Sequence, residues 1–394
     1  MIDLIALLRT AVESGASDIH LKLGQPPVVR LDGDLEQMEG VPSLSEMDLD
    51  TVLDAVTMIS PRRRDTFEDT GDLDIAYSNP TLPRFRVNGF RQRGATSFAF
   101  RVIPSEIPNF LKLGLPDGVT RLAEERRGLV LVTGATGSGK TTTLASMIDH
   151  INRTRRQHIV TIEDPIEILH PDRGCIVNQR EVGLDTASFE QALRRVLRQD
   201  PDVILIGELR DSETAHTALQ AAESGHLVFS TLHTIDAAET IGRMIEFFPP
   251  AKQQQIRSIL AGTLRGVISQ RLLPRIDGGR VPSIEVMVTN SRIQDLIRED
   301  RPEEITDAIA AGEFFQMQTF SQSLIELVIS GVVDREVAAN ASTNRHDFIV
   351  DLERAEKNAA HDKLEAEARS KVPAADPSIG AGLRVADSVP AGPS

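Results

Sequence analysis

The stretch "GLVLVTGATGSGKT", residues 128 to 141, decides the fold. Its apolar opening, "GLVLVT", reads as a short buried strand, and "KTTTLASMIDHIN" from Lys140 onward reads as a helix. Between them Gly134, Ala135, Thr136, Gly137, Ser138 and Gly139 turn the chain. Glycines let successive backbone N–H groups point inward, and the helix N-terminus adds partial positive charge, which together cradle phosphate oxygens. Lys140 then reaches the β- and γ-phosphates of ATP, Thr141 offers its hydroxyl to Mg²⁺, and Thr142 completes the phosphate-binding set.

Outward from this loop the pattern repeats. "HIVTIED", "DVILIGE" and "HLVFSTLH" are further apolar runs separated by helical spans, the alternation of a parallel sheet with crossover helices. Two runs end in acids, at Glu163-Asp164 and at Glu208. In such a sheet the C-terminal strand edges converge on the crevice that holds the ligand. Two carboxylates there can divide the labour, one positioning Mg²⁺ and the other orienting the attacking water, although acids just after strands are also common as solvated turn residues. His226 and His233 lie at either end of the last run. Lone histidines are more often structural, but Thr234 after the strand makes a γ-phosphate sensor a reasonable alternative.

The remaining chain divides by texture. Residues 1–103 alternate apolar and polar in "SDIHLKLG", "RFRVNGFRQ" and "TSFAFRVI", with Asp32-Gly33 as a hairpin turn and helical stretches at the start and near 46–69. Residues 104–115, with Pro104 and Pro108, read as a linker, and 116–346 as the phosphate-binding domain with a helical C-terminal portion. From 347 the sequence is charged and Ala-rich, helical to about Lys371, and then Pro/Gly-rich with almost nothing to bury, which predicts a disordered end to residue 394. The single cysteine, Cys175, excludes an internal disulfide or a cysteine-rich zinc site. No window carries the roughly 18 apolar residues of a membrane span. A formal net charge of −15, one Tyr and no Trp oppose a nucleic-acid partner.

Together "GATGSGKTTTLA", "TIEDPIEILH", "LRQDPDVILIGELRD" and "AAESGHLVFSTLHT" resemble, in order, the Walker A, Asp box, Walker B and His box of the secretion-superfamily (GspE/PulE-like) ATPases. Within these the chain is most similar to the PilT family, the type IV pilus retraction (twitching motility) ATPases, from the first helix to about residue 345. The resemblance implies a cytoplasmic α/β homohexamer at the inner-membrane face, with a PAS-like α+β N-terminal domain and a RecA-like P-loop domain. It gives Glu208 the metal-site role, makes Glu163 the general base, and brings His233 and His226 near the γ-phosphate. Arg86 and Arg101 occupy the places of arginines that approach the nucleotide; the bland reading of both is a strand arginine facing solvent. The implied partners are a PilC-like inner-membrane platform protein and paralogous pilus ATPases, with peripheral membrane contact alone.

Cys175 alone cannot build the four-cysteine zinc motif usual in pilus-extension ATPases, which favours retraction. Two departures stand against that. The family's helical AIRNLIRE is here "RIQDLIRE", with Arg292, Gln294 and Asp295 differing, and the tail is nearer in length to accessory PilU-like paralogues. Rival readings are an export motor of the same superfamily, a RecA-like nucleic-acid motor and a non-hydrolysing nucleotide sensor.

Overall fold

The computed structural model describes residues 2–31, 33–103 and 106–370, the side chains of 360 and 362–370 excepted. Its N-terminal part is an antiparallel sheet of β1 (Asp18–Lys22), β2 (Val28–Leu31), β3 (Asp34–Gln37), β4 (Asp72–Tyr77), β5 (Arg84–Gln92) and β6 (Ala95–Ile103). Their order is β3-β2-β1-β6-β5-β4. Burial alternates along β5, so Phe85 and Val87 face the core while Arg84 and Arg86 face outward. The helices Leu4–Glu13 and Glu46–Thr57 cover the apolar face, burying Leu8, Ala11, Leu49 and Val52 against Ile19, Phe85 and Phe100. Asp3 caps the first through the amide of Ala6, and Ser45 with Asp48 forms a reciprocal cap on the second. The helical stretch expected near 46–69 is two helices, because Pro61, which has no N–H to donate, starts a new one over Pro61–Thr70. Leu31 pairs with Asp34 across the expected hairpin, of which Asp32 lies outside the described residues.

A second sheet holds β7 (Gly128–Thr133), β8 (His158–Glu163), β9 (Ile176–Glu181), β10 (Val203–Ile206), β11 (Leu227–Leu232), β12 (Leu264–Pro274) and β13 (Arg280–Val288). The order is β13-β12-β7-β11-β10-β8-β9, parallel except for the β12–β13 pair at one edge. Every residue of β7, β10 and β11 is buried, as expected for strands covered by helices on both faces. β9, β12 and β13 are not foreshadowed by apolar runs. β9 is a polar edge strand, and β12 buries Ser269 and Gln270 for a purpose described below.

Two regions differ from expectation. The linker from Pro104, whose residues 104 and 105 are not described, packs on the helix Lys140–Thr154. There Ser146 Oγ donates to the Pro108 carbonyl at 2.8 Å, and Phe110 stacks on His150. The tail expected from 347 begins inside packed structure. The last helix starts at Arg345, and Phe348 and Leu352, respectively 1% and 0% exposed, join Leu273, Leu324 and Val333 in a third apolar core. Two well-placed apolar side chains a turn apart suffice to anchor a helix that is otherwise charged. Residues 371–394, expected to be disordered, lie outside the described residues.

Candidate functional site

The strand register sets the site. Leu232 pairs with Thr133, Ser230 with Ile206, and Ile206 with Ile162, so β7 and β11 end level while β10 and β8 stop two residues and one residue short of them. With strands about 4.8 Å apart, these ends form a ledge about 14 Å wide. The phosphate loop leaves it after Thr133, His233 after Leu232, and Glu208 two residues past β10, while Glu163 closes β8.

The loop is held from behind by β12. Gln270 Nε2 donates to the Ser138 carbonyl at 2.6 Å, and Thr133 Oγ1 donates to Ser269 Oγ at 2.9 Å. Gly134 has φ +139°, and a Cβ there would stand 2.4 Å from the Gln270 carbonyl, so the turn admits glycine alone. Ala135, Thr136 and Gly137 are exposed at its crest, and Gly139 turns into the helix from Lys140. Lys140 Nζ donates to the carbonyls of Gly134 and Ala135 at 2.7 and 3.0 Å, and burial lowers its pKa. Ser138 Oγ is buried without a hydrogen-bond partner among the described residues. Inward-turning glycines, a buried lysine and an unpartnered hydroxyl at a helix N-terminus form a donor set that fits a polyphosphate. Exposed Thr141, half-buried Thr142 and Glu208 carry oxygens of the kind a hard divalent cation takes.

Glu163 is half-buried. Thr161 Oγ1 and Gln179 Nε2 both donate to its Oε1, at 2.6 and 3.2 Å, and desolvation raises its pKa despite these bonds. Glu208 pairs with Arg210 and stands 3.3 Å from His233 Nε2. Burial, together with the nearby charges of Lys140 and Arg210, lowers the pKa of His233. Glu167, on the loop after β8, is close enough to influence both Glu163 and Lys140. The loop, both strand-end glutamates and His233 therefore lie along one edge of the sheet.

His226 does not belong to it. It precedes β11, level with the start of β7, and its Nδ1 is bound by the Ala221 carbonyl and Ser224 Oγ. Seven residues of extended chain, about 23 Å, separate it from His233, so the two histidines stand at opposite ends of β11 and only His233 is on the side of the phosphate loop. The N-terminal arginines also part company. Arg86 makes a bidentate pair with Asp74 and donates to Glu167 at 2.9 Å. Arg101, directly opposite on β6, is 72% exposed and pairs with Asp18 at 2.9 Å, without contact to the phosphate loop. Sequence reasoning missed Arg84, which pairs with buried Glu181 at 3.1 Å and donates to the Ile166 carbonyl at 3.0 Å. It missed Arg63 on the Val182 carbonyl at 2.6 Å. It also missed Gln270, Thr161 and Gln179, whose importance rests on strand neighbours that no local signal reveals.

Comparison with known proteins follows the same outline. The family model described as Type II/IV secretion system protein matches residues 1–336. The type IV pilus retraction ATPase PilT of Pseudomonas aeruginosa is 45% identical over 85% of this chain and 97% of its own length. A twitching motility protein of Neisseria gonorrhoeae is 42% identical over 86% and 91%. PilU, a type IV pilus ATPase of Pseudomonas aeruginosa, is 40% identical over 87% and 89%. A crystal structure of the pilus retraction motor PilT with bound ADP superposes with a TM-score of 0.82 at 46% identity, covering 88% of this chain and 99% of that one. Sequence, fold and the composition of this sheet edge agree: this chain belongs to the Type II/IV secretion system protein family.

Proposed function

We propose that this chain is an ATPase that powers type IV pilus retraction, working as a Mg²⁺-dependent homohexamer built from a PAS-like N-terminal domain and a RecA-like motor domain. The observation that carries the reading is the shared ledge: Glu163 and Glu208 lie on neighbouring strand ends, Glu208 beside His233, along the same edge of the sheet as the phosphate loop. The loop amides and Lys140 orient the triphosphate. Thr141 and Glu208 would hold a Mg²⁺ ion bound with it, which would supply neutralisation of phosphate charge. Glu163, whose pKa is raised by burial, takes a proton from the attacking water. His233 donates to the γ-phosphate side, and Arg86 and Arg101 compensate transition-state charge across a subunit boundary.

Work follows from differential affinity. The arginines of β5 already grip the loop after β8 within one chain, through Glu167 and the Ile166 carbonyl, and the end of β9 through Glu181. A nucleotide that offers Arg86 a more negative partner shifts the N-terminal part between two arrangements, and a ring of such shifts displaces a PilC-like inner-membrane platform protein. The protein works at the cytoplasmic membrane face; no helix among the described residues is long and apolar enough to cross a bilayer.

The test is phosphate release by the purified chain with and without Mg²⁺, joined to deletion of the gene in its host. Surplus, non-retracting pili support the reading, and bald cells point to assembly. An accessory role beside another retraction motor has the 40% identity to PilU in its favour, and is the outcome if deleted cells still retract at reduced force.

A further inference from the structure

We propose that Gln179, with Thr161, is the positioning pair that aims the Glu163 carboxylate and holds it ready to accept a proton. The proposal rests on the reading of Glu163 as general base. β8 and β9 run parallel with Thr161 opposite Gln179, so the two side chains rise side by side one strand apart. Both donate to the same atom, Glu163 Oε1. Two donors on one oxygen from two strands fix the carboxylate plane, which a single contact leaves free to rotate.

The Gln179 amide has no freedom to flip. Its Nε2 donates also to the Ile168 carbonyl at 2.8 Å, and its Oε1 accepts from the His170 amide at 2.7 Å. Reversing it would set an NH₂ against the His170 N–H and an oxygen against the Ile168 carbonyl. Gln179 thereby ties the base to the loop 164–170, which carries Glu167, the partner of Arg86. The arginine grip and the orientation of the base share one scaffold.

The charged groups around Glu163 are few and mostly paired. Glu167 bonds Arg86, Asp164 faces Arg63 at 3.5 Å, and Glu181 at the end of β9 is held by Arg84. Glu167 also acts electrostatically on Lys140. Hydrogen bonds to the ionised form oppose the desolvation that raises the Glu163 pKa. Removing a donor raises it further, so the acid limb of the turnover profile moves to higher pH.

The experiment measures kcat and KM for ATP across pH in the full chain, for Gln179→Leu, Thr161→Val and Thr161→Ser beside wild type and Glu163→Gln. Gln179→Leu and Thr161→Val should each lower kcat at neutral pH by about tenfold or more, with KM nearly unchanged and the acid limb displaced upward by about one pH unit. Thr161→Ser, which keeps the hydroxyl, should restore the wild-type limb. A Gln179→Leu profile that superimposes on wild type, or a loss confined to KM, overturns the pair. If Gln179→Leu does not fold, the contrast between Thr161→Val and Thr161→Ser decides in the same way. Wild-type turnover in Glu163→Gln would overturn the base assignment itself, whereas an inactive Glu163→Gln with unshifted Gln179 and Thr161 variants would overturn the positioning role alone.

Discussion

In β7 every side chain is buried, whereas in β5 burial alternates and arginines stand on the outward face. A strand covered on both faces cannot carry a charge in its middle, since the cost of an unpaired buried ion is several kcal/mol. The parallel sheet therefore presents its chemistry at strand ends alone, where Glu163, Glu208, His233 and the phosphate loop gather. The antiparallel sheet, covered on one face, presents Arg84 and Arg86 along a strand, and these reach the loop after β8. One sheet supplies the phosphate loop and the strand-end acids, and the other an outward row of paired arginines.

The comparison can be attacked first at the ledge. Lys140→Ala and Glu208→Gln should each lower phosphate release by about 10² to 10⁴-fold while leaving circular dichroism unchanged, and near-native turnover in either would remove the strand-end site. Next, Arg86→Ala tests whether the outward face of β5 matters to chemistry. Its turnover should fall by about 10³-fold if it meets the transition state, and a loss seen solely in thermal stability would reduce it to a strut between the sheets. Phe348→Ala probes the boundary of the packed chain. It should cost about 3–5 kcal/mol in a denaturant titration, and a negligible change would return the last helix to the surface. Gln270→Ala should weaken the loop by about 1–3 kcal/mol, read as weaker nucleotide binding with little change in kcat. Smallest of all, His226→Ala should leave turnover within about twofold, because it lies at the wrong end of β11, whereas His233→Ala should not.

Much of this was legible because its signals are local. The phosphate loop, the apolar runs and the acids at 163 and 208 each lie within a dozen residues of sequence, and strand period and turn chemistry act over that range. The histidines show the limit. The sequence placed them at the two ends of one strand, yet choosing between the ends required knowing which strand ends share an edge with the phosphate loop. The burial of Phe348 and Leu352 was hidden by the charged composition around them, since packing depends on two faces meeting and not on the average of a segment.

By itself the sequence determined that a strand–loop–helix unit binds phosphate, that acids follow two further buried strands, and that the N-terminal part is built from alternating strands. Tertiary structure alone decided the strand order, and with it that Gln270 braces the loop, that Thr161 and Gln179 meet on Glu163, and that Arg86 faces Glu167. The division has one cause. Backbone preferences and periodicity are read over a few residues, but hydrogen bonds between neighbouring strands join residues far apart in the chain, and their pairing is fixed only when the whole core closes.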